Sequence, residues 1–321
     1  MGGHADTAQA ASGEGAGFTV KAILPDNQAN KDVSYFDLDV ESGKTQELQI
    51  QVENLTDSGK TLKISPNTAF TNANGVIEYS KANLKKDSSA KYTFSELMSK
   101  AQQVKLAAHE TKTVTFKLKV PKNSFRGNIL GGFYVTPVEK ETAADEQSGG
   151  MQINNKFAML VGAHLHGRGS VMPQLKLNKV KPTLNSRQPV ILANVQNTEP
   201  IAFGNMTIDA QITKKGSDKV LYERKKDKMQ MAPNSNFNYA INVDNKGFQT
   251  GDYTLKMTAK AAGKTWNFTR NFKITRETTK LNADASGIEK PDYTWAYIAG
   301  GAALLVVIAG LAFYLGKRKK N

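Results

Sequence analysis

Over most of the chain, apolar and polar residues alternate one for one. In TQELQIQVEN, Leu48, Ile50 and Val52 alternate with Gln49, Gln51 and Glu53, and in KTVTFKLKVP, Val114, Phe116, Leu118 and Val120 alternate with Thr115, Lys117 and Lys119. A period of two places every apolar side chain on one face of an extended strand, which predicts strands with one buried side. The same pattern returns in MTIDAQIT (Met206, Ile208, Ala210, Ile212) and in YTLKMTAK (Tyr253, Leu255, Met257). Turn-forming clusters separate the runs at Glu41-Ser42-Gly43-Lys44, Asn72-Ala73-Asn74-Gly75, Lys215-Gly216-Ser217-Asp218 and Ala261-Ala262-Gly263-Lys264. Their close spacing fits antiparallel sandwiches and not strand-helix-strand units. One short helix is predicted over Phe94–Gln103, with Ser95 as its cap. GDYTL has the form of a tyrosine corner, with Gly251 turning and Tyr253 entering a strand.

The pattern changes at the end, PDYTWAYIAGGAALLVVIAGLAFYLGKRKKN. No charged side chain stands between Asp292 and Lys317. About two dozen residues at roughly 1.5 Å each cover the roughly 30 Å hydrocarbon core of a bilayer, which predicts a transmembrane helix over 294–316. Trp295 and Tyr297 at its start and Tyr314 near its end suit the headgroup zone, and Lys317, Arg318, Lys319 and Lys320 hold the tail on the cytoplasmic side. Everything before residue 293 is then expected outside a plasma membrane. An exported amino terminus requires a leader, and residues 1–17 contain no apolar run to serve as one; either Ala8-Gln9-Ala10 is the trace of a cleavage site or Met1–His4 replaces the leader.

The exterior suits two domains. A first sandwich is expected over 18–167, the Gly167-Arg168-Gly169-Ser170 stretch separates it from a second over 171–276, and a polar stalk follows over 277–293. The acidic segment Glu139–Gly150 is expected to be a long loop inside the first domain, because the strand after it needs a sheet to join. The fold predicted is therefore all-β: two immunoglobulin-like antiparallel β-sandwiches, then a single C-terminal transmembrane helix, with residues 1–17 outside the fold and 317–321 as the basic tail.

Composition narrows the chemistry. The absence of cysteine excludes disulfides, thiol catalysis and zinc-thiolate sites. A large exterior without disulfides, followed by a short basic tail, fits a Gram-positive bacterial surface. The net charge of +14, four of it in the tail, favours anionic neighbours such as wall polymers or acidic headgroups. Gly43-Lys44-Thr45, Gly59-Lys60-Thr61 and Gly263-Lys264-Thr265 imitate the end of a phosphate loop, but Leu38, Asn54 and Thr258 stand where its first glycine is needed. No nucleophile elbow, HExxH pair or assembled acid pair is present, so no catalytic residue, cofactor or nucleic-acid partner is expected.

Pro25, Asn27 and Gln28 in ILPDNQ, the YFDLDV run from Tyr35, LQIQVEN, AFTNANGVIEY from Ala69 and FRGNILGGFYV from Phe125 occur in an order that resembles the amino-terminal domain of the WxL-interacting proteins. VILANVQN and GDYTLKM resemble their second module. These are Gram-positive surface proteins with two all-β domains, one transmembrane helix and a basic tail. The resemblance implies an adapter that associates with WxL-domain surface proteins, binds peptidoglycan through its first domain and binds host extracellular components through its second. A sortase substrate would carry Leu-Pro-x-Thr-Gly before the helix; Lys290-Pro291-Asp292-Tyr293-Thr294 stands there, so the helix is expected to remain as the anchor.

The candidate partner-binding residues are Tyr35, Phe36, Asn128, Leu130, Gly131, Gly132 and Phe133. Paired glycines inside NILGGFYV weaken a strand and admit something close, either a partner backbone added to the sheet or a neighbour within the domain. Tyr35 and Phe36 point to opposite faces, so one is core and the other is free to touch a sugar or a partner. Asp37, Asp39 and Glu41 share a face at strand spacing, and so do His164 and His166, but neither set alone completes a metal site, and none is assigned. A wall-modifying enzyme and an assembly chaperone are the rival readings.

Overall fold

The computed structural model describes residues 15–138, 157–186, 188–243 and 247–280. The first domain contains β1 (Phe18–Ile23), β2 (Phe36–Asp39), β3 (Thr45–Asn54), β4 (Lys60–Thr68), the short β5 (Phe70–Thr71) and β6 (Ile77–Glu78), one helical turn α1 (Phe94–Leu97), then β7 (Gln102–Leu106), β8 (Thr111–Lys119), β9 (Asn128–Pro137) and β10 (Met159–His166). The second contains β11 (Leu175–Asn185), β12 (Gln188–Asn197), β13 (Phe203–Lys214), β14 (Val220–Met231), β15 (Ser235–Asn242), β16 (Gly251–Ala261) and β17 (Lys264–Ile274). In the first domain a β1-β3-β8 sheet packs over a β2-β10-β9-β4-β7 sheet, and in the second β11-β12-β15 packs over β14-β13-β16-β17.

Each domain has its own apolar core. The alternating runs supply it: Leu48, Ile50, Val52, Phe116 and Leu118 are fully buried in the first, and Ile208, Ala210, Ile212 and Leu255 in the second. At the centre of the first core the Phe133 ring meets those of Phe36, Phe94 and Phe116, with centroids 5.7, 5.8 and 4.9 Å away. Burying each such ring stabilises the fold by roughly 1.5–3 kcal/mol. The four turn clusters join β2 to β3, β5 to β6, β13 to β14 and β16 to β17. Tyr253 completes its corner by donating its hydroxyl to the Gln249 carbonyl at 2.8 Å.

The expected helix is shorter than its pattern. It stops at Leu97, and its cap is Thr93, whose N–H reaches the Glu96 carboxylate at 3.1 Å. Gln102–Leu106 leave the helical pattern because they pair with Lys60–Ile64 of β4, a sheet ladder that outweighs local propensity. Ser95 instead hydrogen-bonds Thr68 Oγ1, through its N–H at 3.0 Å and its hydroxyl at 2.9 Å.

Strand β10 pairs antiparallel with β9 and parallel with β2, so it completes the first domain after the acidic segment. After Ile274 a helical turn covers residues 276–280, capped where Thr275 Oγ1 accepts the Thr278 N–H at 3.1 Å. No helix among the described residues is long and apolar enough to cross a membrane. The span expected over 294–316, with Trp295, Tyr297, Tyr314 and the tail bases Lys317, Arg318, Lys319 and Lys320, lies outside the described residues.

Candidate functional site: the interdomain cleft and the outer sheet face

The two domains touch along the β5-β6 hairpin and the Lys85–Ala90 segment. At the floor of the contact Thr71 Oγ1 accepts the Ala232 N–H at 2.9 Å and hydrogen-bonds Ser235 Oγ at 2.7 Å, both buried, while the Ser235 hydroxyl donates to the Ala232 carbonyl at 2.8 Å. The Gly75 carbonyl accepts the Gln230 N–H at 2.6 Å, and the Pro200 carbonyl accepts the Asn128 N–H at 2.6 Å. Gly127, at φ +68°, gives that second contact its room: a side chain there would meet the Pro200 carbonyl oxygen at 2.2 Å. Buried backbone groups without partners are costly, so these bonds fix how the domains sit.

Asp87 is the hub above the floor. Its two oxygens accept Gln196 Nε2 and Asn236 Nδ2, each at 2.6 Å, and Oδ1 also accepts the Ser89 N–H and hydroxyl at 2.9 and 2.7 Å. Burial works against its charge, but the Ser89, Asn236 and Gln196 hydrogen bonds outweigh it and hold the carboxyl below its ordinary range. The amides continue as a ladder over the β11-β12-β15 sheet: Asn178 donates to Asn194 and Gln196 at 2.9 and 3.0 Å, and Asn194 donates to Asn236 and Asn238 at 3.0 Å each.

This ladder forms one wall of a cleft of about 1240 Å³ between the domains. Lys81, Lys85 and Lys86 line it from the first domain, and Lys176, Lys179, Lys181 and Arg270 from the second; among the described residues Asp87 is its single lining acid. A bulge between Leu177 and Val180 sets two residues, Asn178 and Lys179, against one, which adds a lysine to the cleft side of β11. Lys86 is paired with Glu96 at 3.1 Å, and Arg270 donates to the Leu177 carbonyl at 2.8 Å. Among the described residues, Lys176, Lys179 and Lys181 are exposed and enter no ion pair.

The residues singled out in the first domain divide between two faces. Phe36 and Phe133 are fully buried, so they serve packing and offer no surface, a correction that follows from their inward register. Gly131 also faces inward: a side chain there would fall 2.0 Å from Phe94 Cγ, so the glycine admits the helical turn. Gly132 lies under the Leu160 side chain, 2.7 Å from where its Cβ would be. Strand addition along NILGGFYV is closed off, because β9 is paired on one side with β10 and on the other with β4. Tyr35 stands at the surface, 39% exposed, against Gly162, and Leu160 is 43% exposed. Asn128 and Leu130 are half-buried on the same outer face. The β2 edge is covered by Gln28 and Ala29 at the end of the ILPDNQA segment: the Ala29 N–H donates to the Asp37 carbonyl at 2.6 Å, and Gln28 Oε1 accepts the Asp37 N–H at 3.2 Å.

On that outer face Asp37 meets both strand histidines. Its Oδ1 lies 2.6 Å from His166 Nε2 and 3.1 Å from His164 Nδ1. Burial, then the neighbouring His166, lower the His164 pKa, and Asp37 opposes them. Asp39 and Glu41, expected to share a face with Asp37, join no ligand group among the described residues. The carboxylate that accompanies the histidines was hidden because it lies 127 positions before the first of them.

Two family models match the chain: the WxL Interacting Protein peptidoglycan binding domain over residues 18–137 and the WxL Interacting Protein host binding domain over residues 148–283. The chain belongs to the WxL-interacting protein family, in that domain order. The second match begins ahead of β10, although β10 is hydrogen-bonded into the first domain. No curated protein matches. Among solved structures, the chain is similar to a chain of a chaperone-tip adhesin complex of CFA/I fimbriae (12% identity, TM-score 0.30, covering 79% of this chain and 97% of that one). It is also similar to the E. coli chaperone DraB (10% identity, TM-score 0.29, covering 80% and 95%). Likeness at that level assigns no function.

Proposed function

We propose that this protein is a membrane-anchored adapter of a Gram-positive cell surface, built from two immunoglobulin-like sandwiches on a C-terminal span. It acts by binding, not turnover. It holds an anionic wall polymer attached to peptidoglycan in the cleft between its domains and offers its remaining surface to WxL-domain proteins and host extracellular components. The observation that carries this reading is the basic cleft: exposed lysines from both domains converge on one groove whose amide ladder supplies neutral donors and acceptors. Cationic walls around a groove concentrate polyanions, and an amide lining suits their hydroxyl and phosphate groups. Family membership supports the wall and the host as partners. The three-strand and four-strand sheets of the second domain, with its tyrosine corner, support the immunoglobulin-like assignment.

The test is sedimentation of the full chain with host peptidoglycan that retains its anionic polymers and with peptidoglycan stripped of them. Retention that depends on those polymers and falls at least about tenfold when Lys176, Lys179 and Lys181 are changed to Glu is expected. Equal retention by the stripped wall and by the triple variant would overturn the cleft as the binding site.

A further inference from the structure

We propose that Asp37, His164 and His166 form a binding site for a divalent transition-metal ion, zinc foremost. The strand register builds it. His164 pairs with Asp37 across the parallel β2-β10 ladder, and His166, two residues on, shares its face. One donor atom from each residue lies within 4.8 Å of the other two. The two imidazole rings stand 4.0 Å apart at a 42° tilt, and one nitrogen of each lies beside the same Asp37 oxygen.

Zinc bonds of about 2.0–2.2 Å in a tetrahedral set require donors roughly 3.3 Å apart. The separations from Asp37 Oδ1, 2.6 and 3.1 Å, need to open by about 0.7 and about 0.2 Å to reach that spacing, within the reach of side-chain rotation. Two imidazoles and one carboxylate select zinc, cobalt, nickel or copper over magnesium and calcium, which favour all-oxygen sets. The backbone ladder already ties β2 to β10, so two imidazoles beside Asp37 are more than strand pairing needs; His164 turns Nδ1 toward Asp37, and its Nε2 is buried with no hydrogen-bond partner. The ligands are held from behind: β10 is flanked by β9 on its other side, and Gln28 Oε1 fixes the Asp37 N–H. Such support keeps a first shell in position. The His164 and His166 side chains are 26% and 30% exposed, so an ion could enter and keep solvent at its remaining positions.

The test uses the full chain after chelator treatment, titrated with Co²⁺ and read by visible absorption, with Zn²⁺ added as competitor. A four- or five-coordinate cobalt band at one equivalent, displaced by zinc, is expected. It should weaken at least about tenfold in Asp37→Asn and in His166→Gln and remain in His109→Ala. Where a variant loses its far-ultraviolet circular dichroism, the imidazole resonances of the unaltered chain serve instead: zinc should shift those of His164 and His166 and spare that of His109. No cobalt band, or a band abolished by His109→Ala, or zinc shifts that spare His164 and His166, would overturn the site.

Discussion

Asp37 and Asp87 are two partly buried carboxylates of one chain, and each is the hub of its surroundings, but their partners differ in kind. Asp87 accepts from amides, a hydroxyl and a backbone N–H, and the bonds join two domains. Asp37 faces two imidazoles, hydrogen-bonded to His166 at 2.6 Å with His164 Nδ1 at 3.1 Å, and these contacts join two strands of one domain. Amide donors keep their protons across the whole accessible pH range, so the Asp87 hub is a permanent fastener that only protonation of the aspartate itself can loosen. Imidazole nitrogens can also ligate a metal ion, so in the site proposed above the Asp37 hub is the adjustable one. The lesson is that the donors, more than the buried carboxylate, decide whether a polar cluster is fixed or responsive.

The comparison can be pressed hardest beneath Asp87, at the floor. Thr71→Val keeps the shape, removes the acceptor of the Ala232 N–H and takes one of two partners from the Ser235 hydroxyl, which keeps the Ala232 carbonyl; a loss of about 1–3 kcal/mol is expected, read as urea unfolding of the full chain. If the loss is below about 0.5 kcal/mol, the domains do not depend on that floor.

Next comes the hub itself. Asp87→Asn turns an acceptor into an amide facing other amides, at an expected cost of about 1–2 kcal/mol at pH 7. The folded carboxyl titrates below its ordinary value of 3.8, so its contribution is fully present above that value and is lost as the pH falls through the folded pKa. The gap between the wild type and Asp87→Asn should therefore hold at pH 6 and narrow as the pH falls below 3.8. A gap that stays constant would mean the charge is not what the amides hold.

Asp37→Asn should cost less, about 1 kcal/mol, because β2 retains its ladder with β10 and its cover from Gln28; amide exchange along β2 should quicken while β12 is unaffected. The smallest effect belongs to a third pair of the same chemistry, His109 with Asp57 at 2.8 Å, whose side chains are open to solvent. His109→Ala should leave the melting temperature unchanged within error in differential scanning calorimetry.

The strands were legible because alternation is local: Leu48, Ile50 and Val52, or Met206, Ile208, Ala210 and Ile212, declare a buried face without reference to any other part of the chain. The same holds for the Tyr253 corner and the four turn clusters. The helix was overread because residues 102–106 obey a partner, β4, that lies 42 positions earlier. Gly131 and Gly132 stood out in the sequence, but the side chains that require them, Phe94 and Leu160, come from elsewhere in the same domain. Both carboxylate hubs were unreadable for the same reason. Asp87 sits in a run of lysines and serines, and its partners Gln196 and Asn236 lie more than a hundred residues away.

The parallel pairing of β2 with β10 also sets a timetable. A chain synthesised amino terminus first presents Phe36–Asp39 long before Met159–His166, and joining strands so far apart requires closing a long loop. Until residue 166 has been made, β9 has an open side and Phe36 lacks the strand beside it, so the domain stays unfinished and exposed to wrong partners. A fragment ending at residue 137, where the first family match stops, would be held at that unfinished stage.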